Sequence, residues 1–283
     1  MRMFLAGVAV LALSIARPVA WQPQAVAQPQ SPAPPPAAAA PLLPDSQIEE
    51  FLRDARIVRT KSIGKGVTGS TRATLSNGTL THDAQIQTID EKKATFDAPG
   101  ATEFNFQDSW QFNVAAYRLD RLIGLQMVPV TVARTWRGNR AAFTWWIDDV
   151  LMDEGKRLKE KIQPPDSGKW NEQLQLVRLF DQLIYNVDRN VGNLVICSNW
   201  RIWAIDHTRA FRTHNTLKSP ANVTRADRQV LARLKELDRD MLKRAIGDFV
   251  TEYQIGGLLA RRDVIVGMIE KAGPAALFDR RPY

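Results

Sequence analysis

The chain has a single cysteine, Cys197, in 283 residues. A disulfide scaffold needs pairs and a cysteine-rich zinc site needs several, so both are excluded. Histidine is scarce as well. His82, His207 and His214 show no H-E-x-x-H spacing, which argues against a zinc hydrolase. Long apolar runs are missing. The one extended run, residues 3–15, is too short for a comfortable membrane span, so a multi-span membrane protein is excluded. No internal repeat is visible, and glycine and proline, 16 each, are too few for a collagen-like fibre.

What is present is ordinary for a folded protein, with 45% hydrophobic and 24% charged residues. Lysine plus arginine exceed aspartate plus glutamate by 38 to 30. The resulting formal charge of +8 suits anionic partners such as nucleotides, phospholipid head groups or nucleic acid. Eight tryptophans point to a well-packed core or an aromatic-lined site.

Residues 1–27 read as an export signal: Arg2 supplies the positive start and residues 3–15 the apolar region. Small-x-small cleavage motifs follow at Pro18-Val19-Ala20 and at Ala25-Val26-Ala27, and the second is favoured. An uncleaved N-terminal anchor is the other reading. Residues 28–44, rich in proline and alanine, form a tether that cannot build a core. The folded part is expected from about Asp45. An exported domain, periplasmic or secreted, never meets chromosomal DNA, so DNA is not the expected partner of the positive charge.

The first half of the folded part reads as strands. Two short ones flank a glycine loop between 57 and 75, Asn77-Gly78 is a hairpin turn, and 84–89 alternates apolar and polar residues. Three antiparallel strands in succession are expected. A helix follows, with Asp108 and Gln111 as a capping pattern, Phe112, Ala115, Ala116, Leu119 and Ile123 on one face, and Gly124 as its stop. Residues 128–134 and 141–147 are two more strands turned by Gly138-Asn139. A long helix spans about 171–185, with Leu176, Leu179, Phe180 and Leu183 as its stripe. Short strands at 193–196 and 201–205 flank Ser198-Asn199, and the remainder is helical. The succession predicts an α+β fold of two lobes with a cleft between them.

The chemistry concentrates in two stretches: Asn186-Val187-Asp188-Arg189-Asn190-Val191-Gly192-Asn193 and Ile205-Asp206-His207-Thr208-Arg209. An acid after an amphipathic helix, an amide five residues on, and a second acid ending a hairpin are the parts of a magnesium-dependent phosphoryl transfer. Magnesium takes oxygen ligands and few of them from the protein, so one Asn and one Asp with phosphate oxygens suffice. Gly64, Gly66 and Gly69 form a G-x-G-x-x-G run whose backbone N–H groups can approach phosphates. Strand-like residues and a hairpin turn follow it, which favours a kinase-type loop over a dinucleotide-binding one.

With these residues the sequence resembles the atypical kinases that include secreted Golgi casein kinases, HipA-type bacterial kinases, spore-coat kinases and, more distantly, phosphoinositide kinases. The stretch 115–124 with Val128-Pro129, the stretch 186–193 and the stretch 205–211 carry the likeness. The resemblance implies a two-lobed protein-kinase-like fold, a β-rich N-lobe at 45–147 and a helical C-lobe at 148–283. It implies Asp188 as catalytic base, Asn193 and Asp206 as ligands of Mg2+ or Mn2+, and ATP as the phosphate donor to a hydroxyl-bearing acceptor. The glycine loop, Lys65 within it, Arg72 and Gln87 would line the nucleotide.

Two positions depart from the family pattern. The strand position that normally carries a phosphate-gripping lysine holds Gln87, and the helix position that normally carries its glutamate partner holds Asn113. Lys65 or Arg72 could supply the charge from another direction. The departures leave open a nucleotide-binding protein without catalysis, and a transferase that moves AMP rather than phosphate. Several residues have plain structural readings. Arg189 reads as an ion-pair residue, Cys197 as a buried apolar one, Trp145 and Trp146 as core, and Asp148-Asp149 as a solvated loop near the hinge. Arg261-Arg262 and Arg280-Arg281 read as solvated faces open to an anionic membrane surface.

Overall fold

A computed structural model of the chain describes residues 43–64, 70–98 and 101–282. The expected leader, nearly all of the tether, and Lys65, Gly66 and Gly69 lie outside the described residues. No described helix is long and apolar enough to cross a membrane.

Helix α1 (Asp45–Asp54) opens the fold and buries Ile48, Phe51 and Leu52, an i, i+3, i+4 face. Strands β1 (Arg56–Ser62), β2 (Thr71–Ser76) and β3 (Thr81–Gln87) follow as the expected antiparallel run. Asn77 shapes the turn between β2 and β3: its side-chain oxygen accepts from the N–H groups of Thr79 and Leu80, and Gly78 takes φ +92°. Strands β4 (Asp90–Ala98) and β5 (Ala101–Ser109) form a separate two-stranded hairpin, where the sequence pattern had indicated no element.

Helix α2 (Gln111–Leu122) starts after Trp110, with no side-chain cap at that position. The expected cap, Asp108, sits within β5, so that expectation is corrected. Ser109 meets the exposed end instead, its hydroxyl accepting from Gln111 N at 3.3 Å. Gly124 ends this region with φ +74°. Strands β6 (Thr131–Trp136) and β7 (Asn139–Trp145) are turned by Arg137 and Gly138, both with positive φ, one residue earlier than expected. The main sheet is antiparallel in the order β1-β2-β3-β7-β6.

Cross-strand pairing sorts this sheet into two faces. Ala84, Ile86 and Phe143 lie on the buried face against α1, where Phe51 meets Trp145 edge-on. Arg72, Gln85, Thr144 and Thr131 pair in one row on the opposite face, and Gln87 pairs with Ala142 in the next.

The rest of the chain is mostly helical. Strand β8 (Val150–Asp153) leads into helix α3 (Glu154–Lys159) and helix α4 (Ser167–Leu183), whose expected stripe is buried. Strands β9 (Leu194–Cys197) and β10 (Ile202–Ala204) form the expected hairpin, with β8 added to its free side. Helices α5 (Arg228–Glu236), α6 (Arg239–Ile246) and α7 (Glu252–Ala272) close the chain. Each is capped by its preceding residue, Asp227, Asp238 or Thr251.

Of the arginines near the end, Arg281 is exposed as expected, whereas the buried Arg261 and the half-buried Arg262 and Arg280 correct the expectation of solvated faces. Arg261 is fully buried at 0% exposure and donates to the carbonyls of Leu183, Arg212 and His214. Arg262 donates to the carbonyls of Leu234 and Leu237, and Arg280 to those of Gly124 and Leu125. Arg281 pairs with Asp166 and Glu172. These four guanidinium groups tie helix ends together.

Candidate active site

Helix α4 ends at Leu183, and Tyr185 turns the chain with φ +49°. Asn186 then folds back. Its amide donates to Asp181 Oδ1 at 3.0 Å, and its side-chain oxygen accepts from Asp188 N at 3.1 Å. Arg189 is the pin of this loop. Its guanidinium bonds the buried Asp181 carboxylate at 3.0 Å through both Nε and Nη2. It also donates to Ile205 O at 2.6 Å and to Asn193 O at 3.4 Å. The structural reading of Arg189 is therefore right, and its consequence is that the exposed Asp188 stands on an immobilised turn. Lys218 donates to Val187 O at 3.1 Å, which brings an ammonium group beside the same turn.

Asn193 and Asp206 are adjoined by backbone: Ile205 N donates to Asn193 O at 3.0 Å, one residue before Asp206. This follows from the β9–β10 register, which pairs Leu194 with Ala204. Asp206 adopts φ +56°, a conformation Asp tolerates better than most residues. Its Oδ1 accepts from the Thr208 hydroxyl at 3.1 Å and from the Gln87 amide at 3.5 Å. Among the described residues, Oδ2 of Asp206 has no hydrogen bond.

Gln87 and Asn113, the two departures from the kinase pattern, meet each other. Asn113 Nδ2 donates to Gln87 Oε1 at 2.6 Å, and Asn113 Oδ1 accepts from His207 N at 2.7 Å. Gln87 is 2% exposed and Asn113 4%. Two neutral amides thus fill the place where the resemblance implies a lysine–glutamate pair. An unpaired charge there would carry a large desolvation cost, whereas this pair is hydrogen-bonded and uncharged. With Thr131, Thr144 and Asp206 the amides line a small cavity of ≈ 10 Å³.

Asp108 and Thr208 join this neighbourhood and were not indicated as site residues by the sequence. Ser109 N donates to Thr208 O at 2.9 Å, which brings the Asp108 carboxyl beside Thr208. Burial, with the nearby Asp206 charge, pushes the Asp108 carboxyl above its ordinary range. Its Oδ1 is buried and has no hydrogen-bond partner. Nothing local marks Asp108, because the residues it meets lie about a hundred positions later.

His207 is 1% exposed, edge-on to Phe180 at 5.9 Å between ring centroids. Burial, then the Arg189 charge, holds its pKa well below the usual histidine range. The unfolded chain therefore takes up a proton near pH ~6.5 that the folded chain refuses. Stability from this group is complete above that pH and is lost as the pH falls. The expected slope is about 1.4 kcal/mol per pH unit below ~6.5. Urea midpoints between pH 5 and 7 check this: His207→Leu should flatten the slope, and an unchanged slope would refute it.

The remaining candidates are placed as follows. Gly64 has open space where a side chain would start. Arg72 lies on the same sheet face as Gln87 but is engaged, paired with Asp83 at 2.5 Å and lying 4.2 Å from the Trp146 ring centroid. His82 stacks on Trp145 with centroids 3.4 Å apart and reaches Asp148 at 2.6 Å. Asp149 accepts from Ser198. The Asp148-Asp149 segment is the expected solvated connection between β7 and β8, with both side chains hydrogen-bonded. Cys197 is buried, and burial raises its thiol pKa. Among the described residues no group of three His, Cys, Asp or Glu side chains could hold a metal ion.

No protein-family model matches the sequence, and no curated protein matches it either. Solved structures do. The hydra Fam20 structure with sugar is 14% identical, covers 84% of this chain and 93% of its own, and superposes with a TM-score of 0.63. A Golgi casein kinase with Mn/ADP bound is 12% identical over 82% of this chain and 76% of its own, with a TM-score of 0.58. The Golgi casein kinase in a second structure is 13% identical over 84% and 79%, with a TM-score of 0.59. At such identities the likeness concerns the fold, which is the kinase-like α+β architecture that the sequence motifs implied.

Proposed function

We propose that the protein is an exported kinase-like phosphotransferase that moves the γ-phosphate of ATP to a hydroxyl acceptor on a protein, lipid or small molecule. The observation that carries this reading is the joining of two loops. Arg189 and the Ile205–Asn193 hydrogen bond lock the Asp188 turn against the backbone of Asp206, beneath the sheet face that carries Gln87. A phosphoryl transfer needs little more from a protein than such positioning.

Asn193 and Asp206 offer hard oxygen donors, and Asp206 Oδ2 is uncommitted, so the donor set fits Mg2+ or Mn2+. A Golgi casein kinase of similar fold holds manganese and ADP, which supports the same pairing here. A bound divalent ion would neutralise phosphate charge. Asp188, exposed on its pinned turn, would orient the acceptor hydroxyl and take its proton. Gly64 and the loop after it would cover the phosphates. Lys218 donates to the Asp188 turn at Val187 O, while Arg72 is held by Asp83.

The neutral Gln87–Asn113 pair favours one second reading, a protein that binds a nucleotide without turnover. One experiment separates the two. Purified protein is given labelled ATP with Mg2+ or Mn2+ and candidate acceptors, beside Asp188→Ala. Loss of a general base is expected to slow transfer by about 10²–10⁴-fold. Nucleotide binding with no Asp188-dependent transfer would establish the second reading. Intact product mass would reveal an adenylyl group in place of a phosphoryl group.

A further inference from the structure

The β4–β5 hairpin stands outside the main sheet, and an isolated two-stranded hairpin is marginal in water. Its anchorage lies elsewhere, on the chain that follows Asp206. Glu103, in β5, accepts from Arg209 Nη2 at one carboxylate oxygen and from Arg212 Nη2 at the other, the latter at 2.5 Å. Arg212 Nη1 also donates to Gln107 O at 3.0 Å, and Ser109 N to Thr208 O at 2.9 Å. The Arg209 guanidinium lies 4.4 Å from the Phe106 ring centroid. Arg212 is 6% exposed, Arg209 19% and Glu103 25%, so water screens these charges poorly.

The clamped residues are the ones that hold the site. Arg209 O accepts from Val187 N at 3.2 Å, directly before Asp188. Thr208 donates to Asp206 Oδ1 at 3.1 Å. Arg212 O accepts from the buried Arg261 at 2.9 Å. A shift of residues 208–212 therefore reaches both aspartates through one hydrogen bond each. The Asp108 carboxyl also acts on both guanidinium charges.

We propose that Glu103 is a positioning residue for the site: its carboxylate draws Arg209 and Arg212 together and thereby fixes the backbone that carries Asp188 and Asp206. Two convergent guanidinium groups form a fork that suits any small oxyanion. Without Glu103 they become an anion site, and an external anion can take over the clamp. The kinetic part of this inference rests on the phosphotransferase reading, and the structural part does not.

The test uses the full chain as Glu103→Ala, Glu103→Gln and wild type, with sodium sulfate or sodium acetate added, and with matched sodium chloride as control. Amide hydrogen exchange is expected to rise about tenfold in Glu103→Ala in residues 207–214, in the strands β4 and β5 that they anchor and at Val187, with the main sheet and the helices α5–α7 unchanged. Sulfate or acetate, and not chloride, should reverse it. Transfer should show kcat reduced about 100-fold with the nucleotide KM unchanged, and should recover with the same anions. Glu103→Gln fills the space with an uncharged amide and should not be rescued. Exchange equal to wild type, a rise spread over the whole chain, or a rise that no oxyanion reverses would overturn the proposal. If wild type transfers no phosphate, the phosphotransferase reading falls, and the exchange measurements still decide the clamp.

Discussion

Asp206→Asn is expected to abolish manganese-dependent nucleotide binding and to lower transfer by about 10²–10³-fold, with the fold intact. Asparagine has the shape of aspartate and also tolerates left-handed φ, so the +56° backbone survives. The Thr208 hydroxyl and the Gln87 amide both donate to Oδ1, and an amide oxygen accepts the same two bonds. The change therefore removes charge from Oδ2 and little else. Calorimetric titration of ADP with and without Mn2+ reads the effect directly. Equal affinity in both proteins would mean that Asp206 is not a metal ligand, and the proposed function would lose its centre.

The largest stability effect is expected at Arg261. This guanidinium is at 0% exposure and bonds three carbonyls, one of which belongs to Leu183, the last residue of α4. A helix C-terminus carries partial negative charge, which favours a cation there. The Tyr185 ring lies 5.5 Å from the same group. Burial pulls its pKa down to about 10, which still leaves it charged at neutral pH. Arg261→Leu keeps the apolar stem but leaves three carbonyl oxygens without their donor. Orphaned buried acceptors cost roughly 1–3 kcal/mol each, so a loss of at least about 3 kcal/mol is expected. For a chain of this size that lowers Tm by about 10 °C. Calorimetry checks it, and a Tm within a degree or two of wild type would show that the three bonds contribute little.

The contrast between Arg261 and Arg189 shows which features of this protein are legible along the chain. Arg189 reads as an ion-pair residue, and the structure supplies the partner close along the chain in Asp181, eight residues away. Arg261 is followed by another arginine in a polar-looking run and reads as solvated. Its acceptors lie 78, 49 and 47 residues away, where no local pattern points to them. Helix α1 is not among the elements that the pattern predicts, although Ile48, Phe51 and Leu52 share one face, and the β4–β5 pairing offers no readable face, because most of its side chains on both faces are exposed or half-buried. Asp108 looks like a helix cap by spacing. It lies in a strand because β5 pairs with β4, where Asp108 stands opposite Glu91.

Local chemistry by itself determined the α+β succession, the β2–β3 turn at Asn77-Gly78, the stripe of α4 and the closeness of Asn193 to Asp206. Hydrophobic period, turn preference and a short hairpin all act over a few residues, so they can be read in order along the chain. Tertiary structure alone decided that Gln87 and Asn113 form one neutral pair, 26 residues apart. It also decided that Glu103 holds two arginines more than a hundred residues away, and that Arg261 is buried. Those contacts depend on which surfaces meet when the whole chain collapses, and burial, not spacing, sets whether a charge there is paired, replaced by an amide or capped by carbonyls.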